Sequence, residues 1–484
     1  MNEITLDPED WSELTTVGHR MLDDSLQQLA TVRERPLWQP MPADVRAYFK
    51  PGPPPREPRP LEDVYADFQK FIQPYVLGNI HPRFWGWVIG ASSPAGVLAE
   101  LLAAGLNVNV FGANESGAAL EAQAISWFTN AFGLPAEATG LFVSSGSMAN
   151  LVALTVARDA RAGFDVVEEG LVHQPQLVIY CSEQTHNSVD KTAAILGIGR
   201  KNLRKIPTDA EYRVDLDALR CTIAEDRAAG KKPFCVIANC GTVNTGAIDD
   251  LRAVRGIADE ENLWMHVDGA IGAVLRLSPR LAPLADGIEL ADSIAFDLHK
   301  WMNMPYDVAG VVVRSRETRS RSFSPAASYL TTFEDGIAAG RHVPSRLGPD
   351  LSRGFRALKV WMTIQTYGAD RFAAIIDKNM DQARYAAEII GREPKLELLA
   401  PVPTNVVCFR YLRDGLSGEQ LDALNHRVLI ELQKAGIAAP SSTVLQGRYA
   451  LRIAIVNQRT LREDVEIALR EIVRIGDQLW SGGL

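Results

Sequence analysis

Cysteine is scarce, with five in 484 residues. Cys181, Cys221, Cys235, Cys240 and Cys408 form no CxxC pair and sit in no secretory context. A disulfide framework and a metal site are therefore not expected, and a reducing compartment is. Long hydrophobic runs are missing too. The most apolar long stretch, 94–113, is broken by Glu100, Asn107 and Asn109, so it reads as a buried helix and loop rather than a membrane span. Met1-Asn2-Glu3-Ile4 has neither the basic nor the apolar region of a signal peptide. Positive charge is not in excess: 50 Lys and Arg stand against 59 Asp and Glu, a net charge of −9. Nothing in that balance favours nucleic acid or an anionic membrane. The expectation is a cytoplasmic protein with no membrane and no nucleic-acid partner.

Apolar residues make up 46% of the chain, enough for a sizeable core, which excludes a disordered chain or a stapled miniature fold. Residues 11–34 read as an amphipathic helix, with Trp11, Leu14, Val17, Met21, Leu22, Leu26 and Leu29 near helical spacing. The proline-rich run 51–60 follows as a stiff, extended connector. So small a segment cannot bury its own stripe, and a second subunit is the expected cover.

From about residue 139, short apolar runs alternate with helical patterns. The runs are Leu141–Val143, Leu177–Cys181, Leu203–Ile206, Phe234–Asn239, Leu263–Val267, Ser293–Phe296 and Gly310–Val313. This predicts an α/β fold with a mostly parallel sheet buried on both faces. Residues 314–353 read as a long loop, and Arg314, Arg316, Arg319 and Arg321 as a solvated basic cluster. A helix is predicted from Ser352 to Tyr367. The tail carries a second, smaller α/β pattern: helices 371–391, 418–435 and 461–479, with strands 405–411 and 449–456.

Ligands of open α/β sheets bind at the carboxyl ends of the strands, so the residues that follow each run deserve scrutiny. Ser144-Ser145-Gly146-Ser147 opens a helix with free N–H groups, an anion cradle. His186 follows the second run and Thr242 the fourth. Asp268 ends the fifth and Lys300 follows the sixth. Each has an ordinary reading: a capping serine, a loop histidine, turn hydroxyls, an Asp268–Lys300 ion pair. Pyridoxal phosphate accounts for all five at once. Its aldehyde needs a lysine amine, its ring nitrogen a carboxylate, its phosphate a helix N-terminus and its ring face a flat side chain.

The chain also resembles the group II pyridoxal-phosphate-dependent amino acid decarboxylases, which include aromatic-L-amino-acid and glutamate decarboxylases. The likeness covers about 61–480. It rests on His81-Pro82-Arg83-Phe84-Trp85, Ser145-Gly146-Ser147-Met148-Ala149-Asn150-Leu151, Thr185-His186, Gly241-Thr242, His266-Val267-Asp268-Gly269-Ala270 and, most specifically, His299-Lys300-Trp301. The resemblance implies PLP fold type I, the aspartate aminotransferase-like architecture, as a homodimer with the active site at the interface. It divides the chain into an N-terminal segment packing on the partner (1–85), a large cofactor domain (86–369) and a small C-terminal domain (370–484). It implies that Lys300 binds the cofactor covalently, that Asp268 pairs with the ring nitrogen and that His186 stacks on the ring. Gly146, Ser147 and His299 would hold the phosphate, with Ala270 against the ring and Thr242 near the ring hydroxyl. Tyr329 would return a proton to Cα; relatives that oxidatively deaminate have lost this tyrosine or the histidine.

By the same resemblance, Trp87, Val88 and Phe111 line the substrate pocket, which leans to an aromatic or large apolar amino acid; Trp87 and Phe111 also read as core residues at a dimer interface. Val88, Ile271 and Val243 depart from the aromatic decarboxylases, which carry an aromatic, a tyrosine and a threonine there, so a small or acidic amino acid stays open as substrate. An aminotransferase or lyase of the same fold stays open, with Arg452 on a small-domain strand as a possible grip for a substrate carboxylate. So does a non-catalytic protein that kept the fold.

Overall fold

The computed structural model describes residues 4–112, 114–323, 335–337, 339 and 343–481. Its larger sheet has seven strands: β1 (Thr139–Val143), β2 (Leu177–Ser182), β3 (Leu203–Ile206), β4 (Lys232–Asn239), β5 (Trp264–Asp268), β6 (Ser293–Asp297) and β7 (Ala309–Val313). They lie in the order β1-β7-β6-β5-β4-β2-β3. The pairs among β2, β3, β4, β5 and β6 are parallel, while β7 runs antiparallel to both β1 and β6. Each predicted run is a strand.

Both faces are covered, as the apolar runs require. Val236 and Ala238 of β4 pack in one core with Val254 and Ile257 of the helix Leu251–Glu260. The alternate residues Cys235 and Ile237 pack in another with Leu154 and Ala157 of the helix Gly146–Arg161. That is the two-residue period of a strand serving two layers.

The smaller sheet is antiparallel throughout, in the order β10-β11-β9-β8, with β8 (Leu396–Leu398), β9 (Val406–Tyr411), β10 (Ser441–Leu445) and β11 (Arg448–Ala454). Its helices are Ala369–Arg392, Gly418–Lys434 and Arg462–Ser481. Ser417 and Gln420 start the second of these with a reciprocal capping box. The first belongs to both cores: Phe372, Ile376 and Met380 join the large one, and Ala383, Ala386 and Ile390 the small one.

At the N-terminus, the helix Trp11–Ala30 buries only Val17, leaving Trp11 60% exposed. Residues 51–60 form no helix or strand. The basic cluster departs from expectation. Arg316–Phe323 is a helix, and Arg319 within it is fully buried. Its guanidinium donates to the carbonyls of Leu347 (2.9 Å), Thr139 (3.1 Å) and Val311 (3.4 Å). A long aliphatic stem lets the charge reach those acceptors, whereas Arg321 stays exposed beside Glu317.

Candidate active site

The carboxyl ends of β1, β2, β4, β5 and β6 face β10 and β11 across a cavity of about 350 Å³. From the large sheet its walls are Ser145, Gly146, Ser147, Asn150, His186, Ser188, Val243, Asn244, Asp268, Ala270, Ile271, Asp297, His299 and Lys300. Trp87 and Val88 enter from the N-terminal side, and Ser441, Ser442 and Arg452 from the small sheet.

The helix Gly146–Arg161 begins at this cavity. Ser145 caps it, its hydroxyl oxygen accepting the Met148 N–H at 3.3 Å. A Cβ on residue 146 would stand 2.8 Å from Asp297 Oδ2, so glycine lets the helix start sit against the end of β6. Free N–H groups and the positive end of the helix dipole then face the cavity, as a phosphate requires.

Asp268 at the end of β5 and Lys300 in the turn just after β6 reach the same space from neighbouring strand ends. The ion pair between them that ordinary chemistry offered does not form: Lys300 Nζ pairs with Asp297 Oδ2 at 2.6 Å. Asp268 instead accepts from Asn150 Nδ2 at 3.0 Å and from the Ala270 N–H at 3.2 Å. Among the described residues no cation forms an ion pair with it. Its buried negative charge is therefore available to a cation arriving with a ligand.

Two histidines flank the lysine. His299 Nδ1 accepts the Val308 N–H at 3.1 Å, so the neutral ring carries its proton on Nε2. His299 stacks on Tyr306, centroids 4.3 Å apart. His186 Nδ1 accepts the Ser188 N–H at 3.1 Å, which again leaves the proton on Nε2. Burial lowers the pKa of both rings, against the pull of Asp297 on His299 and of Asp268 on His186.

Arg452 corrects the aminotransferase reading. It is 3% exposed and lines the cavity, but its donors are committed. They go to the carbonyls of Trp87 (2.5 Å), Val243 (2.6 Å) and Asn244 (2.9 Å) and to Ser441 Oγ (3.2 Å). Four of its five N–H groups are spent holding chain turns together. Trp87 needs such a hold, since its φ of 54° places a bulky residue in the left-handed region.

The structure thus gathers Trp87, Val88, Gly146, Ser147, His186, Asp268, Ala270, His299 and Lys300 around one cavity. Two expected residues are not on its wall. Thr242 is buried in the turn after β4, where its hydroxyl bonds Thr245 Oγ1 (3.0 Å) and accepts the Ala247 N–H (3.0 Å), so it shapes the turn that presents Gly241 and Val243. Phe111 lies elsewhere, its carbonyl accepting the Ser345 N–H. Tyr329 falls outside the described residues. Asn150, Ser188 and Asp297 also line the cavity, and the sequence reading gives them no role of their own. Asn150 had one signal in the sequence: it lies one turn after Gly146 and so on the same helix face.

Residues 42–412 match the pyridoxal-dependent decarboxylase conserved domain. The chain belongs to this family. An aromatic-L-amino-acid decarboxylase of Bacillus atrophaeus is 33% identical over 96% of each chain. A phenylacetaldehyde synthase of Petunia hybrida is 29% identical, covering 93% of this chain and 91% of its own. The crystal structure of Catharanthus roseus tryptophan decarboxylase in complex with L-tryptophan superposes with a TM-score of 0.87 at 25% identity, covering 98% of this chain and all of the other. The architecture is therefore PLP fold type I, and the cofactor of this decarboxylase is pyridoxal phosphate. The cavity fits that group on its own evidence: a glycine-opened helix start, a lysine amine and a carboxylate lacking a cation meet within it.

Proposed function

We propose that this enzyme decarboxylates an aromatic L-amino acid to its amine, using Lys300, Asp268 and His186 as the groups that hold the cofactor ring. The observation that carries the reading is the meeting of Lys300 and Asp268, from adjacent strand ends, at one cavity with Trp87 on its wall. When bound, pyridoxal phosphate supplies the electron sink that stabilises the charge left on Cα as carbon dioxide departs. Lys300 would hold the cofactor by its aldehyde through the Nζ amine, which reaches the cavity beside Asp297. Asp268 would accept from the ring N–H, and its buried carboxylate would favour the protonated ring nitrogen. Gly146, Ser147 and His299 would hold the phosphate, and Ala270 would support the ring. His186 carries its proton on Nε2, ready for the substrate carboxylate, and orients the bond to be broken. Tyr329 donates a proton to Cα, which separates amine formation from aldehyde formation. The flat face of Trp87 beside the small side chain of Val88 suits an aromatic substrate.

The exposed stripe of the helix Trp11–Ala30 supports a homodimer in which residues 1–85 pack on a second copy. Phe111 lies away from this chain's own cavity, so its place in a substrate pocket would depend on such an interface. The buried free thiols fit the cytoplasm, and among the described residues no helix is long and apolar enough to cross a membrane.

Carbon dioxide release from each standard amino acid plus dihydroxyphenylalanine tests the substrate. Release from tryptophan, tyrosine, phenylalanine or dihydroxyphenylalanine, with matching amine, is expected. Release from glutamate alone would overturn the aromatic reading. Tyr329→Phe is expected to move product from amine toward aldehyde and ammonia, and an unchanged amine yield contradicts the role given to Tyr329.

A further inference from the structure

One buried chain of hydrogen bonds behind the cavity has a single allowed direction. Trp264 Nε1 is a donor only, and it meets Ser293 Oγ at 2.8 Å. Ser293 Oγ lies 2.9 Å from His266 Nδ1, and His266 Nε2 lies 2.9 Å from Asn150 Oδ1. Asn150 Nδ2 then meets both Asp268 Oδ2 (3.0 Å) and Ser188 Oγ (3.1 Å). Ser188 Oγ is 2.9 Å from His186 Nδ1.

The carboxylate fixes the amide. Asp268 can only accept, so the NH2 group of Asn150 faces it and the carbonyl oxygen faces His266. His266 must therefore donate from Nε2. The ring is completely buried, and burial lowers its pKa, so it is neutral and Nδ1 is bare to accept the Ser293 hydroxyl proton. Every proton from Trp264 onward points toward the cavity. The path branches at Asn150, with one arm to the carboxylate and one to the serine that orients His186.

We infer that Asn150 is a positioning residue for the cofactor ring: its one amide, polarised by neutral His266, sets both the carboxylate under the ring nitrogen and the imidazole on the ring face. The inference rests on the ring-holding roles proposed for Asp268 and His186 and extends them. Asn150 also sits in the second turn of the helix whose start receives the phosphate, so phosphate, ring nitrogen and ring face share one rigid reference. Reversing the amide would set its carbonyl oxygen against Asp268. Asp268 opposes that reversal, and His266, donating from Nε2 to the carbonyl oxygen, adds to the preference.

The test uses the purified full-length apoenzyme titrated with pyridoxal phosphate. Its readouts are the dissociation constant and the visible circular dichroism of the bound cofactor, which reports ring orientation. Asn150→Ala is expected to weaken binding about tenfold or more, the size of one lost hydrogen bond to a charged group, and to alter the dichroic band. His266→Leu, which leaves the buried Asn150 carbonyl without its donor, is expected to do the same to a smaller degree. His266→Gln keeps an N–H at the position of Nε2 and is expected to restore binding and dichroism toward wild type. Unchanged affinity and dichroism in Asn150→Ala would overturn the inference. So would a His266→Gln enzyme no better than His266→Leu, and this pair decides the matter should Asn150→Ala fail to fold. Lys300→Ala separates the failure of this inference from failure of the site itself: a borohydride-bleachable band that survives the loss of Lys300 would refute the cofactor site, not the role of Asn150.

Discussion

Asp268 closes β5 and Asp297 closes β6, the next strand in the sheet, and both carboxylates are buried at the same cavity. Their partners differ in kind. Asp268 is held by neutral donors, a side-chain amide and a backbone N–H. Asp297 is held by the ammonium of Lys300, with His299 Nε2 3.8 Å away and Oδ1 lacking a hydrogen bond. Neutral donors fix a carboxylate without consuming its charge; an ion pair consumes it. One strand end is thus prepared for a cation that comes from outside, while the other stores a cation belonging to the protein.

The comparison breaks most sharply under isosteric replacement. Asp268→Asn is expected to lower the rate of carbon dioxide release by about a hundredfold or more, because a protonated ring nitrogen would lose its buried partner. Its apoenzyme should unfold within about 1 kcal/mol of wild type, since only neutral hydrogen bonds are rearranged. Asp297→Asn is expected to show the reverse emphasis. Its apoenzyme should lose about 1–3 kcal/mol in denaturant unfolding, as Lys300 is left without its counter-charge. Equal apoenzyme stabilities for the two variants would erase the distinction.

A smaller effect lies in pH. The unfolded chain protonates His266 near 6.5, but burial holds the folded ring's pKa at about 4. The unfolded state therefore binds the proton first, and stability present above pH 6.5 is lost as pH falls toward 4. His81, also held at about 4 by burial, acts with the same sign. Thermal midpoints of the apoenzyme should fall over that window, and His266→Gln should make the fall shallower without abolishing it. An equally steep fall in the variant would show that the imidazole is not neutral in the fold.

What the sequence made legible follows the same division between charge stored and charge offered. Runs such as Val-Ile-Tyr-Cys and Val-Ile-Ala-Asn announce strands buried on both faces, and the polar residue after each run marks the cavity edge. Direction is not written in such runs: Gly-Val-Val-Val is equally apolar whichever way the strand lies, so it does not show the antiparallel course of β7. β8 is three residues long and β10 is Ser-Ser-Thr-Val-Leu at a sheet edge, without the apolar density that signals a strand. The helix Arg316–Phe323 has no apolar stripe, and it forms around a buried arginine whose acceptors come from distant segments. In the cavity, Lys300 and Asp268 were legible because strand ends collect ligands. Lys300's choice of Asp297 over Asp268 was not, since both lie within reach in sequence and only packing separates them. The commitment of Arg452 to three carbonyls was equally hidden, because backbone acceptors leave no mark in composition.

Arg452 also bears on how such enzymes can be recombined. It is a residue of β11, yet three of its hydrogen bonds end on carbonyls of Trp87, Val243 and Asn244, all N-terminal to the helix Ala369–Arg392. A chimera spliced ahead of that helix keeps the strand ends that line the cavity whichever relative supplies the remainder. It keeps the shape of that cavity wall only if the incoming segment carries an arginine at this place, so the C-terminal part is not an interchangeable module but holds a wall built by the other half.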